Sequence, residues 1–157
     1  MARRCVCRRL IEILIVGGWL FASGPAVAQQ ANEYDETVGR AVRLLPWPPD
    51  KIVVVDADTS GRSLHHSFQH VEGFVIHGDR VVHLVREGET LQRAMKGPGI
   101  FDFALAIIIW HEMAHIDGAD EAKARRDEEA LWQEYVRDGR VDLFRGLKYL
   151  KLLQARR

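Results

Sequence analysis

The sequence predicts an α+β fold: a small β-sheet with a hairpin, packed against one apolar helix and two C-terminal helices. Three observations predict it. β-branched runs lie at 52–55, 74–76 and 80–85. A nearly continuous apolar stretch fills 100–116. Two helical stretches with apolar stripes then follow, separated by Asp138-Gly139. Helices and a sheet that each bury one face combine into such a layered core. The chain has 157 residues, 47% hydrophobic and 28% charged, which suits one globular domain and excludes a disordered or fibrous protein. Basic and acidic residues balance at 22 each, so the basic excess of a nucleic-acid binder is missing. Two cysteines, Cys5 and Cys7, provide no disulfide framework.

The first 28 residues have the pattern of an export signal. Arg3, Arg4, Arg8 and Arg9 precede the apolar run 13–22, and Ala26-Val27-Ala28 supplies a small-x-small cleavage site. The run is short of the roughly 20 residues that span a bilayer. Glu12 at its edge leaves an uncleaved membrane anchor as the alternative. Cleavage after Ala28 leaves 29–157 as a single domain in the periplasm or outside the cell. Both cysteines, four arginines and one glutamate depart with the signal. The remaining chain can bury a core without disulfides. No contact with nucleic acid is expected, nor with a membrane unless the N-terminal segment is retained.

Along that domain, 33–45 has a helical rhythm through Tyr34, Val38, Val42 and Leu45, and Pro46, Pro48 and Pro49 end it. Residues 52–55 read as a buried strand, and 56–63 as a loop. His65, His66 and His70 extend this polar stretch as surface loop. His77-Gly78-Asp79 turns a hairpin between 74–76 and 80–85. A short helix at 89–96 stops at Gly97-Pro98-Gly99. The helix over 100–116 is apolar on every side and must run through the core. Gly118 ends it and Asp120 caps the next, 121–137. A final helix over 141–155 carries the stripe Leu143, Leu147, Leu150 and Leu153. Trp47, Trp110 and Trp132 read as packing residues.

The buried helix contains His111-Glu112-Met113-Ala114-His115, an H-E-x-x-H pattern. A spacing of four places both imidazoles on one face, one turn apart, where they can reach one ion. Glu112 is placed to take a proton from metal-bound water rather than to ligate. Polar groups in so apolar a helix destabilise it unless partnered, and a metal would satisfy both rings. A catalytic zinc takes three protein ligands and leaves one position open. Glu121 is the first choice for the third: Gly118 permits a reversal that returns its carboxylate to the histidines. Glu128 is the alternative, two turns on. Asp117 could ligate or hydrogen-bond a ligand histidine. Without a metal, His111 and His115 would be core histidines partnered by Glu112.

His111-Glu112-x-x-His115 resembles the zincin metallopeptidases. His111-x3-His115-x2-Gly118-x2-Glu121 is similar to the longer metzincin motif, with Glu where the third His stands and no methionine after Met113. Glu121-x-x-Ala124 is closer to the gluzincin arrangement, in which a downstream glutamate completes the site. The resemblance covers about 70–121. It implies an exported zinc peptidase acting on peptide or protein substrates, with Zn2+ on His111, His115 and Glu121 and with Glu112 as general base and then proton donor. It also implies that 80–85 is an edge strand that pairs with an extended substrate. His83, Tyr135 and Tyr149 are candidates for stabilising the oxyanion. The competing expectation is a non-catalytic metal-binding or partner-binding protein on the same scaffold, its site closed by Asp117 or Glu128.

Overall fold

The computed structural model describes residues 14–15, 25–56 and 71–155. The elements are β1 (Leu14–Ile15), α1 (Pro25–Val42), β2 (Lys51–Val55), β3 (Gly73–Val75), β4 (Val81–Val85), α2 (Glu89–Ala94), α3 (Ile100–Ile116), α4 (Glu121–Arg137) and α5 (Leu143–Ala155). The fold is α+β, a small mixed sheet with helices. Its strand order is β1-β2-β4-β3. β2 runs parallel to β4, and β3 pairs antiparallel with β4 in the register Phe74↔His83. The two-residue β1 pairs parallel with β2 and lies in the apolar run of the predicted signal. The histidine-bearing stretch 57–70 lies outside the described residues.

One face of the sheet forms the core floor. Ile52, Val54, Val82 and Leu84 are fully buried on it, as the period-two alternation of strands requires. α3 packs against β3, β4, α1, α2 and α4. Ile107, Ile108 and Ile109 are poor helix formers by a few tenths of a kcal/mol each. Burying each contributes about 2 kcal/mol, so packing decides that this segment is a helix. The α3 N-terminus is held by Asp102. Its carboxylate accepts from the Gly99 N–H (3.0 Å) and from Arg40 Nε (3.1 Å). Arg40 also donates to the Ala94 carbonyl (2.7 Å). One guanidinium thus ties α1 to the adjoining ends of α2 and α3.

Four expectations are corrected. β4, not an edge, lies between β2 and β3; the outer strand beside α3 is β3. β4 is the longer, more apolar strand because it has a neighbour on each side. The first helix begins at Pro25, well before 33, because proline suits a first helical position. The predicted cleavage point after Ala28 falls inside α1. The last helix starts at Leu143, behind Asp142, whose carboxylate accepts from the Arg145 N–H (3.0 Å). Its expected stripe is split: Leu153 is buried and Leu150 packs partly buried against the core, but Leu143 and Leu147 face solvent. α5 docks instead through Gly146, Tyr149 and Leu153. Gly146 lies so close to Val136 that a Cβ there would collide with it.

Candidate metal centre

Two turns of local structure bring α4 back onto α3. Gly118 adopts φ 85°, which glycine reaches without strain. The Gly118 N–H donates to the His115 carbonyl (3.0 Å) and the Ala119 N–H to the Ala114 carbonyl (2.9 Å). These paired bonds form a Schellman motif, which closes the helix end. Asp120 then caps α4, its carboxylate accepting from the Lys123 N–H (2.7 Å). Glu121 and Glu128, seven residues apart, share the α4 face that meets the histidines.

Each imidazole is oriented by a group behind it. His115 Nδ1 lies 2.9 Å from the Ala119 carbonyl. His111 Nδ1 lies 3.1 Å from Glu128 Oε2. Both partners are oxygens that accept, which assigns a hydrogen to each Nδ1. In the neutral rings this leaves the lone pair on Nε2. The two Nε2 atoms face one another at 3.2 Å. Glu121 Oε2 stands 3.5 Å from His111 Nε2 and 3.2 Å from His115 Nε2. Three lone-pair donors therefore converge, all within 4.8 Å of one another. Such a group repels itself unless a cation lies among its members, either a proton on a ring or a metal ion. The donor set of two imidazoles and one carboxylate fits zinc by its chemistry.

The electrostatics follow from this crowding. Burial works to lower the His111 pKa, but the Glu128 hydrogen bond and the Glu128, Glu112 and Glu121 charges outweigh it, and the net shift is upward. Burial likewise works to raise Glu121, yet the Arg125 hydrogen bond and the nearby histidines hold its carboxyl below the usual range. Arg125 Nε donates to Glu121 Oε1 at 2.6 Å, leaving Oε2 for the imidazoles. Glu112 is buried, and desolvation pushes its pKa up against the opposing pull of His111 and His115. It does not belong to the converging set.

A cleft of about 1700 Å³ opens over these residues. α3 and α4 contribute His111, Glu112, His115, Glu121 and Glu128, and β3 with its turn forms the facing wall. Gly73 lets this wall sit close: a Cβ there would stand a tight 3.2 Å from the His83 carbonyl oxygen and 3.3 Å from Ile108 Cγ2, with Glu112 Cγ at 3.4 Å.

The structure brings His111, His115 and Glu121 together with Glu112 beside them. It separates the other candidates. Glu128 sits behind His111 as its Nδ1 partner. Asp117 lines a second, smaller cleft beside Trp47 and Trp110. Tyr135 is buried elsewhere, its hydroxyl donating to the Leu44 carbonyl (3.0 Å) and its pKa pushed by burial to about 12. Tyr149 packs on Trp132 with ring centroids 4.4 Å apart. His83 stacks on Phe74 at 4.8 Å, on the sheet face opposite Val82 and Leu84. None of these three lines the cleft. Besides the two imidazoles, His77, Arg80 and Arg125 are the described lining residues that carry side-chain N–H donors. The Ala119 carbonyl had no signal in the sequence, and the seven-residue spacing of Glu121 and Glu128 puts both on one face of α4 without showing which of them meets Nε2. The chain matches no known protein family, no curated protein and no solved structure.

Proposed function

We propose that the protein is an exported zinc-dependent metallopeptidase. The observation that carries this reading is the convergence of His111 Nε2, His115 Nε2 and Glu121 Oε2 beside a buried Glu112, under a cleft walled by an edge strand. Zinc, when bound, supplies the Lewis acidity that polarises a peptide carbonyl and acidifies water to near-neutral pKa. The chain supplies the remainder. Glu128 and the Ala119 carbonyl hold the two rings with Nε2 forward. Arg125 fixes Glu121 by one oxygen. Glu112 is the proton carrier: its raised pKa suits a group that accepts a proton from water and gives it to the leaving amine. The outer side of β3 offers backbone groups to an extended peptide.

The alternative, a closed non-catalytic metal site, requires a fourth ligand from Asp117 or Glu128. Glu128 is engaged on the far edge of His111 and Asp117 lines the other cleft, which favours an open, three-ligand site. Metal analysis of the full chain tests the assignment. About one zinc per chain is expected from the three-ligand set, with much weaker binding in Glu121→Ala. Glu112→Gln should keep zinc and lose hydrolysis of an unstructured peptide library. A Glu112→Gln enzyme with unchanged turnover would exclude this mechanism, and a wild-type chain that takes no zinc would exclude the site.

A further inference from the structure

α5 presents an apolar face that its own fold leaves open. Of the six large apolar side chains exposed among the described residues, Leu143, Phe144, Leu147 and Leu152 lie on this one helix, with Phe144 79% exposed. The helix itself is firmly seated. Trp132 Nε1 donates to the Gly146 carbonyl (2.9 Å), Tyr149 packs on Trp132, and Leu153 is buried. At 100° per residue, Leu143, Leu147 and Phe144 form a stripe beside that docked side, with Leu152 further round. Exposed Arg145, Lys148 and Lys151 border and interleave this stripe. The helix carries no carboxylate, and Arg156 and Arg157 follow it in sequence. The whole chain is charge-balanced, so this local excess of cations is a property of α5.

We propose that the outer face of α5 binds an anionic lipid surface, the helix lying in the plane of the interface. An apolar stripe interleaved with lysine and arginine is the composition such helices need. The apolar groups enter the acyl boundary, while the lysine stems reach up to the headgroups. The helix is about 20 Å long at 1.5 Å per residue, so it lies on a bilayer rather than crossing it. Charge argues against a second copy as occupant. An isologous pairing of two α5 faces would bring six cations together with no carboxylate on either helix. Each cation near an anionic surface multiplies affinity about fivefold, so three of them and the apolar stripe form the two-part signal that peripheral binding requires.

The test is co-sedimentation of the full chain with phosphatidylcholine vesicles, with and without phosphatidylglycerol, at low and high salt. The N-terminal segment is common to every variant, so differences report α5. Binding should require phosphatidylglycerol and weaken with salt. Phe144→Ser with Leu147→Ser, and separately Lys148→Glu with Lys151→Glu, should each weaken it by about tenfold or more. All four side chains face solvent, so circular dichroism and Tm should stay at wild-type values. Equal binding by wild type and both double variants would overturn the proposal, as would equal affinity for neutral vesicles or no binding at all. Self-association lost in the Phe144/Leu147 variant would assign the face to a second copy instead.

Discussion

Glu121 and Glu128 are two carboxylates on one face of α4, and distance alone separates their roles. Glu121 Oε2 joins the two Nε2 atoms, whereas Glu128 Oε2 stands behind His111 on Nδ1. Their sequence neighbours give no such distinction, because a carboxylate in the first or third turn of a helix can face the same way. The assignment depends on how far the Gly118 turn carries α4 back over α3. It has a measurable consequence. Glu128→Gln keeps the size of the side chain but removes the charge that orients His111 and raises its basicity. Zinc should still bind, with affinity lower by about 10- to 100-fold, as for other groups behind a metal ligand. Glu121→Ala should cost far more, since it removes a donor. Competition against a chromophoric chelator measures both. Equal losses in the two variants would mean that Glu128 ligates directly.

At the scale of elements, helices were more legible than strand order. The bounds 100–116 and 121–137 follow from Gly99, Gly118, Asp120 and Asp138, residues whose local chemistry starts or stops a helix wherever they stand. Strand position depends on neighbours that sequence does not name. The zincin resemblance puts 80–85 at the edge, yet β4 is interior and the glycine-led β3 is outermost. Only Leu150 and Leu153 of the α5 stripe meet the core, because exposed leucines have the same period as buried ones; Gly146 sets how closely that helix docks. The Arg40–Asp102 pair was invisible for a similar reason, since 62 residues separate its members. Both partners are largely buried, so Arg40→Met should strand the Asp102 charge and destabilise the fold by about 3 kcal/mol, read in urea unfolding. Gly73 makes the matching prediction for the cleft. Gly73→Val would press on the His83 carbonyl and Ile108 and crowd the Glu112 stem, at a cost of about 1–3 kcal/mol. Zinc affinity should hardly change, because β3 carries none of the converging atoms. Peptide hydrolysis should fall, because the wall and Glu112 both move. Unchanged turnover in a folded Gly73→Val chain would remove β3 from the substrate path.

For the whole molecule, the site couples stability to pH in opposite directions with and without a metal. Consider first the metal-free chain. The folded His111 pKa is raised above its reference of 6.5, and the folded Glu112 pKa above its reference of 4.5. A raised folded pKa means that the native state holds its proton more tightly than the unfolded chain does. The stabilisation is therefore complete below the unfolded pKa and fades as pH rises through the folded one. For His111 that loss begins above about pH 6.5. Glu121 has the opposite sign: its folded pKa is depressed, so its contribution is present above 4.5 and lost as pH falls through the lower folded value. A metal reverses the His111 dependence. It needs Nε2 unprotonated, so protons compete with it, and its affinity rises over the same interval in which the apo protein loses its imidazolium. Ligand binding to the native state adds RT ln(1 + [L]/Kd) to stability, so a rising affinity widens the gap between loaded and stripped protein. The gap in Tm between zinc-loaded and chelator-treated chain should therefore grow as pH rises above about 6.5. In Glu128→Gln the metal-free chain should lose less stability over this range, because removing that carboxylate lowers the His111 pKa toward the unfolded value. A Tm gap independent of pH would mean that no histidine proton is displaced on binding, and that the cation these three donors require does not sit between His111 and His115.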